Sequence, residues 1–193
     1  MGAVSAFGKI ASLGDFIRIG APAGVVDPWD RWLQQTLEAA RAACGTDWQA
    51  CYLSAPIWRF VLGPGLAGSQ AVAGIMMASV DRVGRQFPLT LFAILPGTGS
   101  SPSDTWFADL EDVALDTLDD AASLGTLRAA LARVAAAVPG PDPVPASGHS
   151  LWVAQWEGAV QRLAFAGLPP PYAAALLFAP ARWRATAPQE VRT

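Results

Sequence analysis

The chain has 193 residues, of which 52% are hydrophobic and 15% charged, and its formal net charge is −3. This length fits one domain with a sizeable core, and the apolar content excludes disorder over most of the chain. An acidic balance without clustered basic residues excludes non-specific nucleic-acid binding.

The first quarter of the chain predicts a strand followed by a long helix. Residues 4–10 alternate weakly between apolar and polar and predict a strand, which the turn "SLGDF" ends. We expect Asp27 to cap a helix, Pro28 to occupy its first position, and Gly45 to end it after Cys44. The expected buried stripe of this helix consists of Trp29, Trp32, Leu33, Leu37 and Ala40.

Three apolar runs in the middle of the chain predict strands. One starts near Ile57, and the others are "AVAGIMMASV" and "PLTLFAIL". Their nearly continuous apolar character favours central strands that are covered on both faces. Glycines interrupt the uncharged stretch from Phe60 to Val80, so we expect no membrane-spanning segment.

The last half predicts three helices and a hairpin. Ser103 is expected to cap a helix to about Asp120, and a second helix runs from about Leu124 to Val138. Pro139–Ser147 is expected to be an exposed loop without regular structure. "SLWVAQW" and "VQRLAFAGL" predict antiparallel strands, and "PPPYAAALLF" predicts a short last helix.

These elements predict the α/β (α+β) class, with a mixed, mostly antiparallel sheet flanked by helices. The expected organisation is one domain over residues 1–181 and a frayed tail over 182–193. No secretory signal pattern begins the sequence, so the expected location is cytoplasmic.

Signatures of catalysis and of cofactor binding are weak. "GPGLAG" (Gly63–Gly68) matches a dinucleotide fingerprint, but no helix fits after it, so we expect a flexible connection and no cofactor. His149 is the only histidine, and no G-x-S-x-G elbow accompanies it, so a catalytic role is not expected. The chain lacks the His and Cys clusters that zinc requires, and no metal site is predicted.

The helix after Ser103 is strongly acidic. Its carboxylates at Asp109, Asp112, Asp116 and Asp120 follow i, i+3 and i+4 spacing and share one face. This face is either solvated and partly paired with Arg128 and Arg133, or a docking surface for a basic partner.

Two short stretches concentrate polar residues in an otherwise apolar chain. "FGKIASLGDF" holds Lys9, Ser12 and Asp15 between the permissive Gly8 and Gly14, and it fits a structured turn or a binding segment equally. "SVDRVGRQFPL" holds one aspartate and two arginines between two predicted strands.

The chain resembles the TagF family of bacterial type VI secretion accessory proteins. The residues that carry the resemblance occur in the family's order and span most of the chain. They are "GKIASLGDF" (8–16), "DPWDRWLQ" (27–34), "WRFVL" (58–62), "SVDRVGRQFPL" (79–89), "SLW" (150–152) and "GLP" (167–169). The fourth of these is the most specific.

The resemblance implies a single α/β domain, for which a longin-like arrangement is one form. It also implies a cytoplasmic regulator without enzymatic activity, which restrains assembly or firing of the secretion system after translation. The implied partner is a protein of that system, such as a forkhead-associated scaffold, and no cofactor or oligomeric state is implied.

Two readings of the fourth motif remain open. In the first, Gly84 permits a tight turn, Phe87 is extended because Pro88 follows it, and Asp81 pairs with Arg85 as a structural clasp. In the second, Arg82 or Arg85 faces out with Lys9 and holds a carboxylate or phosphothreonine of the partner.

The candidate residues therefore form two sets. The partner-binding candidates are Lys9, Ser12, Asp15, Arg82, Arg85, Asp109, Asp112 and Asp116. The structural motif residues are Gly8, Gly14, Phe16, Trp58, Ser79, Asp81, Gly84, Phe87 and Pro88. An alternative function is a metal-assisted hydrolase that uses Asp15 and Asp81.

Overall fold

A computed structural model describes residues 3–95, 99–119, 121–134 and 139–179. These residues contain nine strands and five α-helices. The strands are β1 (Ser5–Gly8), β2 (Ile17–Ile19), β3 (Trp58–Leu62), β4 (Val72–Met77), β5 (Leu89–Ile94), β6 (Ser100–Pro102), β7 (Pro139–Pro143), β8 (His149–Trp156) and β9 (Ala159–Ala166). The helices are α1 (Ala23–Cys44), α2 (Trp48–Leu53), α3 (Asp104–Asp116), α4 (Leu124–Arg133) and α5 (Ala174–Phe178).

Seven strands form one sheet in the order β2-β1-β5-β4-β3-β8-β9, and each neighbouring pair is antiparallel. Strands β3, β4 and β5 form a central meander, and β8 and β9 form a hairpin at one edge. Strand β1 pairs with β5, so the first strand joins the sheet beside a strand more than eighty positions later. The predicted α+β class with a mostly antiparallel sheet is confirmed.

A hydrophobic core lies on each face of the sheet. The core under α1 and α5 is aromatic and contains Trp29, Trp32, Phe60, Trp152 and Phe178. The opposite core, under α3 and α4, is mainly aliphatic. Every residue of β4 is buried, as the continuous apolar run predicts for a strand covered on both faces.

Helix α1 begins earlier than the sequence predicts. It starts at Ala23 after Pro22, so Asp27 and Pro28 lie inside the helix and the predicted N-cap is wrong. Val25 and Val26 are buried in this first part, and their burial favours the longer helix over the local preference of proline for a first turn. The predicted end at Gly45 is confirmed, since this glycine has φ of 55°.

The proline-rich segment after α4 is also not a simple loop. Pro139–Pro143 forms β7, which pairs with β6 in a separate two-stranded ribbon, so the prediction of an irregular segment is wrong. Both strands of such a ribbon are edge strands, in which proline is tolerated because its missing N–H can face away from the partner.

The later helices differ from their predictions mainly in length. Ser103 caps α3 as predicted, since its hydroxyl accepts a hydrogen bond from the Trp106 N–H, but the helix ends at Asp116. Helix α4 ends at Arg133, and residues 135–138 of its predicted extent lie outside the described residues, as does the predicted tail. None of the described helices is long and apolar enough to cross a membrane.

Candidate interaction site

The two polar stretches, residues 8–16 and 79–89, meet at one end of the sheet. The ammonium of Lys9 lies 2.9 Å from Oδ2 of Asp81, and Nε of Arg85 lies 2.7 Å from the same oxygen. We call these three residues the clasp. The guanidinium of Arg85 also donates to the carbonyl of Gly14, and the N–H of Arg82 donates to the carbonyl of Leu13. The clasp therefore joins two segments that are far apart in the sequence.

The carboxylate of Asp81 is buried and saturated with donors. Its Oδ1 accepts hydrogen bonds from the N–H groups of Val83 and Arg85, at 3.0 and 2.9 Å. Burial raises the pKa of this carboxyl, but the bonds from Lys9, Arg85 and Val83 outweigh burial and hold the pKa well below its ordinary value. The predicted pairing of Asp81 with Arg85 is present in the structure.

Backbone geometry at two glycines supports the clasp. Gly84 has φ of 83°, a conformation that a turn of this kind requires and that other residues rarely adopt. Gly8 has φ of 131°, and a Cβ atom there would lie 2.0 Å from the carbonyl oxygen of Pro88. Only glycine therefore permits β1 to approach the start of β5 this closely.

Contacts of Tyr52 and of three phenylalanines hold the two segments of the clasp in place. Tyr52 donates to the carbonyl of Ser79 and accepts from its N–H, at 2.8 and 3.0 Å. Burial raises the pKa of the Tyr52 hydroxyl above its usual range, so the hydroxyl stays protonated. The ring of Phe87 packs edge-on against Phe7 and Phe16, and the Lys9 ammonium lies 5.1 Å from the centre of the Phe16 ring.

The same two segments expose a set of side chains to solvent. We call Asp15, Phe16, Arg82 and Val83 the turn surface. Phe16 is 51% exposed and Val83 68% exposed, which is high for apolar residues in a rigidly bonded turn. Arg82 is exposed, and no described carboxylate lies within ion-pair distance of it.

The structure places the remaining binding candidates differently. Lys9 is only 5% exposed and belongs to the clasp, and the Arg85 side chain, which is 59% exposed, donates to Asp81 and to the carbonyl of Gly14. Ser12 is half-buried, and its hydroxyl has no hydrogen-bond partner among the described residues.

The acidic face of α3 is solvent-exposed. Asp109, Asp112 and Asp116 are all exposed, and no described cation pairs with them; Asp120 lies outside the described residues. The pairing with Arg128 or Arg133 that the sequence suggests does not occur among the described residues. Leu115 and Leu118 are also exposed on this part of the chain, at 48% and 50%.

The sequence did not predict one cluster of ion pairs. Arg59 on β3 makes a two-bond contact with Glu111 on α3, at 2.6 and 2.9 Å, and a third bond of 3.1 Å to Asp104. Hydrogen bonding to Glu111 raises the pKa of the Arg59 guanidinium further. The only sequence signal was a single charge within the apolar run "WRFVL".

The remaining motifs form the aromatic core. Trp29 and Trp32 of "DPWDRWLQ" pack against Phe60 of "WRFVL" and Trp152 of "SLW", with ring centres 4.7 to 6.0 Å apart. The indole of Trp32 donates to the carbonyl of Pro169 in "GLP". Trp58 donates to the carbonyl of Leu177. The aromatic residues of these motifs build the fold, although "DPWDRWLQ" also exposes Asp27, Arg31 and Gln34.

The glycine-rich loop has a structural explanation. A Cβ atom at Gly63 would lie 2.1 Å from the carbonyl oxygen of Ala146, so this loop packs directly on the backbone before β8. Strand β4 follows without a helix, as the fingerprint argument predicts. His149 is exposed, and its ring contacts the carbonyl of Ser147.

Two thirds of the chain match a known family model. The model of the TagF N-terminal domain, described as type VI secretion system-associated, matches residues 5–134. The chain belongs to the TagF family. Both polar stretches and the acidic helix lie within the matched residues, whereas β8, β9 and α5 lie beyond them.

A solved structure shares the fold of this chain. The chain is similar to PA0076 from Pseudomonas aeruginosa PAO1, with 30% identity and a TM-score of 0.81, over 91% of this chain and 94% of that one. A comparison with curated proteins found no match. Membership associates this chain with type VI secretion as an accessory protein.

Proposed function

We propose that this protein is a cytoplasmic, non-enzymatic regulator that restrains assembly or firing of a type VI secretion system. It acts by binding a component of that system, for which a forkhead-associated scaffold is the candidate. The observation that carries this proposal is that Phe16, Arg82 and Val83 are exposed on segments whose backbone the clasp bonds together. A backbone that is already ordered loses less conformational entropy when a partner binds.

The chemistry of the clasp argues for binding and against hydrolysis. A metal-assisted hydrolase would need Asp81 to offer a free oxygen to a metal or to water. Both oxygens of Asp81 already accept two hydrogen bonds each. Asp15, the other carboxylate of that alternative, is solvent-exposed. No group of three or more potential metal ligands exists among the described residues.

The turn surface favours one kind of partner segment. Since Lys9 is buried and Arg85 is held by Asp81, Arg82 is the cation of these two segments with the most freedom to pair. A single guanidinium binds a carboxylate with two parallel hydrogen bonds, whereas phosphopeptide-binding domains use clusters of arginines. Phe16 and Val83 add apolar contacts beside it. We therefore propose a partner segment that combines an acidic residue with apolar side chains.

Isothermal titration calorimetry against the purified forkhead-associated scaffold tests this proposal. We expect Arg82→Ala and Val83→Asp to weaken binding at least tenfold, the loss typical of an interface hot spot. Arg31→Ala is the matched control, because Arg31 is an exposed arginine on α1. All variants should retain the wild-type melting temperature.

Three outcomes would count against the proposal. If the wild-type chain does not bind the scaffold, the proposed partner is wrong. If binding survives both substitutions but is lost in Asp112→Ala/Asp116→Ala, the acidic face is the docking surface instead. If dephosphorylation of the scaffold abolishes binding, the partner group is a phosphothreonine rather than a carboxylate.

A further inference from the structure

The two edges of the sheet differ in a way that matters for association. At one edge β2 has three residues, whereas at the other β9 has eight. All eight residues of β9 pair with β8 in a continuous register without a bulge. Among the described residues no strand pairs with the outer side of β9. Its outward N–H and C=O groups therefore form a template for another strand.

Strand β9 has little of the usual protection of an edge. Natural edge strands avoid association through proline, charged side chains, bulges or short length. The sequence of β9, "AVQRLAFA", contains no proline, and its one charge, Arg162, lies 3.8 Å from the carboxylate of Asp142. Val160 is 56% exposed, and Ala164 and Ala166 are exposed as well. Small and apolar side chains thus flank the free backbone.

We infer that this chain forms a homodimer in which β9 pairs antiparallel with β9 of a second copy. Antiparallel pairing about a two-fold axis uses the same surface of both copies and closes without further growth. Seven residues of each strand pair within this edge and supply about eight hydrogen bonds between the copies. The two sheets then become one continuous sheet.

Strand length and charge together select the register of this pairing, because an axis at Arg162 or Leu163 pairs seven residues of each strand and an axis at any other residue pairs fewer. Residues directly opposite one another in an antiparallel pair lie on the same face of the sheet. An axis at Arg162 would place this arginine against its own copy, which is unfavourable. An axis at Leu163 places Arg162 opposite Ala164, Val160 opposite Ala166, and Gln161 opposite Phe165. No like charges are then directly opposed.

Substitution of Ala164 tests both the dimer and its register. Ala164→Glu places a carboxylate opposite Arg162 of the second copy, twice per dimer, and should lower the dissociation constant by about 2- to 30-fold. Ala164→Lys should raise it by a similar factor. In an Arg162→Ala background the two variants should dimerise alike. Because Ala164 is exposed, all of these variants should fold.

Sedimentation equilibrium of the full chain from about 1 to about 100 µM measures the dissociation constant directly. We expect a species of about 40 kDa, twice the 20.2 kDa of one chain. Leu53→Lys is the control, because Leu53 is 57% exposed on α2 and should leave dimerisation unchanged. A monomer at every concentration, or a dimer indifferent to residue 164, would overturn the inference. Neither result depends on binding of a secretion component.

Discussion

Alanine substitution of three motif glycines should separate close packing from backbone conformation. Gly8, Gly14 and Gly84 all lie in the two stretches that carry the family resemblance, but their surroundings differ. A Cβ atom would lie 2.0 Å from a backbone oxygen at Gly8, no nearer than 3.8 Å to any atom at Gly14, and in open space at Gly84. Only Gly8 and Gly84 have positive φ.

These differences predict three distinct changes in the free energy of unfolding. Gly84→Ala should lower the free energy of unfolding by about 1–2 kcal/mol, which is the penalty of a left-handed backbone conformation for a residue with a Cβ atom. Gly8→Ala adds a collision that the backbone can relieve only by separating β1 from β5, so the total should reach about 2–6 kcal/mol. Gly14→Ala should leave the free energy of unfolding unchanged or raise it by up to about 1 kcal/mol, because alanine restricts the conformations of the unfolded chain.

Urea unfolding followed by tryptophan fluorescence measures all three variants. The eight tryptophans make the signal strong, and circular dichroism at zero urea shows whether each variant folds. A loss of several kcal/mol is a large part of the total stability of an ordinary domain, so Gly8→Ala should unfold at much lower urea. Equal stability of Gly8→Ala and Gly14→Ala would refute the close approach of β1 to Pro88.

Substitutions at three further residues test the groups around the clasp and α3. Tyr52→Phe should lower the free energy of urea unfolding by about 1–3 kcal/mol, because the buried N–H of Ser79 loses its partner while the carbonyl keeps its bond from the Phe87 N–H; an unchanged unfolding midpoint would contradict this role. The depressed pKa of Asp81 contributes stability above its unfolded value near 4, and this contribution is lost as pH falls toward the folded pKa. Asp81→Asn should therefore be less stable at neutral pH and lose less between pH 5 and 3, and parallel pH profiles would exclude this linkage. Arg59→Met should lower stability by about 1–2 kcal/mol and Arg59→Lys by less, because lysine keeps the charge but not the two-bond contact with Glu111.

The strands were easier to predict than the ends of the helices. The apolar runs of β3, β4 and β5 predict buried strands, because a strand covered on both faces needs apolar residues at nearly every position. The start of α1 was missed because Asp27 and Pro28 favour a helix start locally, whereas burial of the preceding valines decides it. Strands β2, β6 and β7 were not predicted, because β2 and β6 have only three residues each and the proline content of β7 argues against a strand unless an edge partner is known.

The candidate site was predicted in part. The pairing of Asp81 with Arg85 follows from a turn of five residues, which the sequence makes visible. The burial of Lys9 does not follow from the sequence, because its contact with Asp81 joins residues 72 positions apart. The exposure of Val83 was also hidden, since an apolar residue in a sequence is normally assigned to the core.

The pairing of β1 with β5 fixes the order in which the nascent chain can fold. Strands β3, β4 and β5 are neighbours in both sequence and sheet, so each can pair soon after it leaves the ribosome. Strand β1 is made first but must wait for Leu89–Ile94, which follow about 80 residues later and take about 4–16 s to synthesise. Lys9 cannot reach Asp81 before then, so the turn surface is completed only once both halves of the sheet are joined. An incomplete chain therefore cannot present the full set of contacts that the proposed partner would recognise.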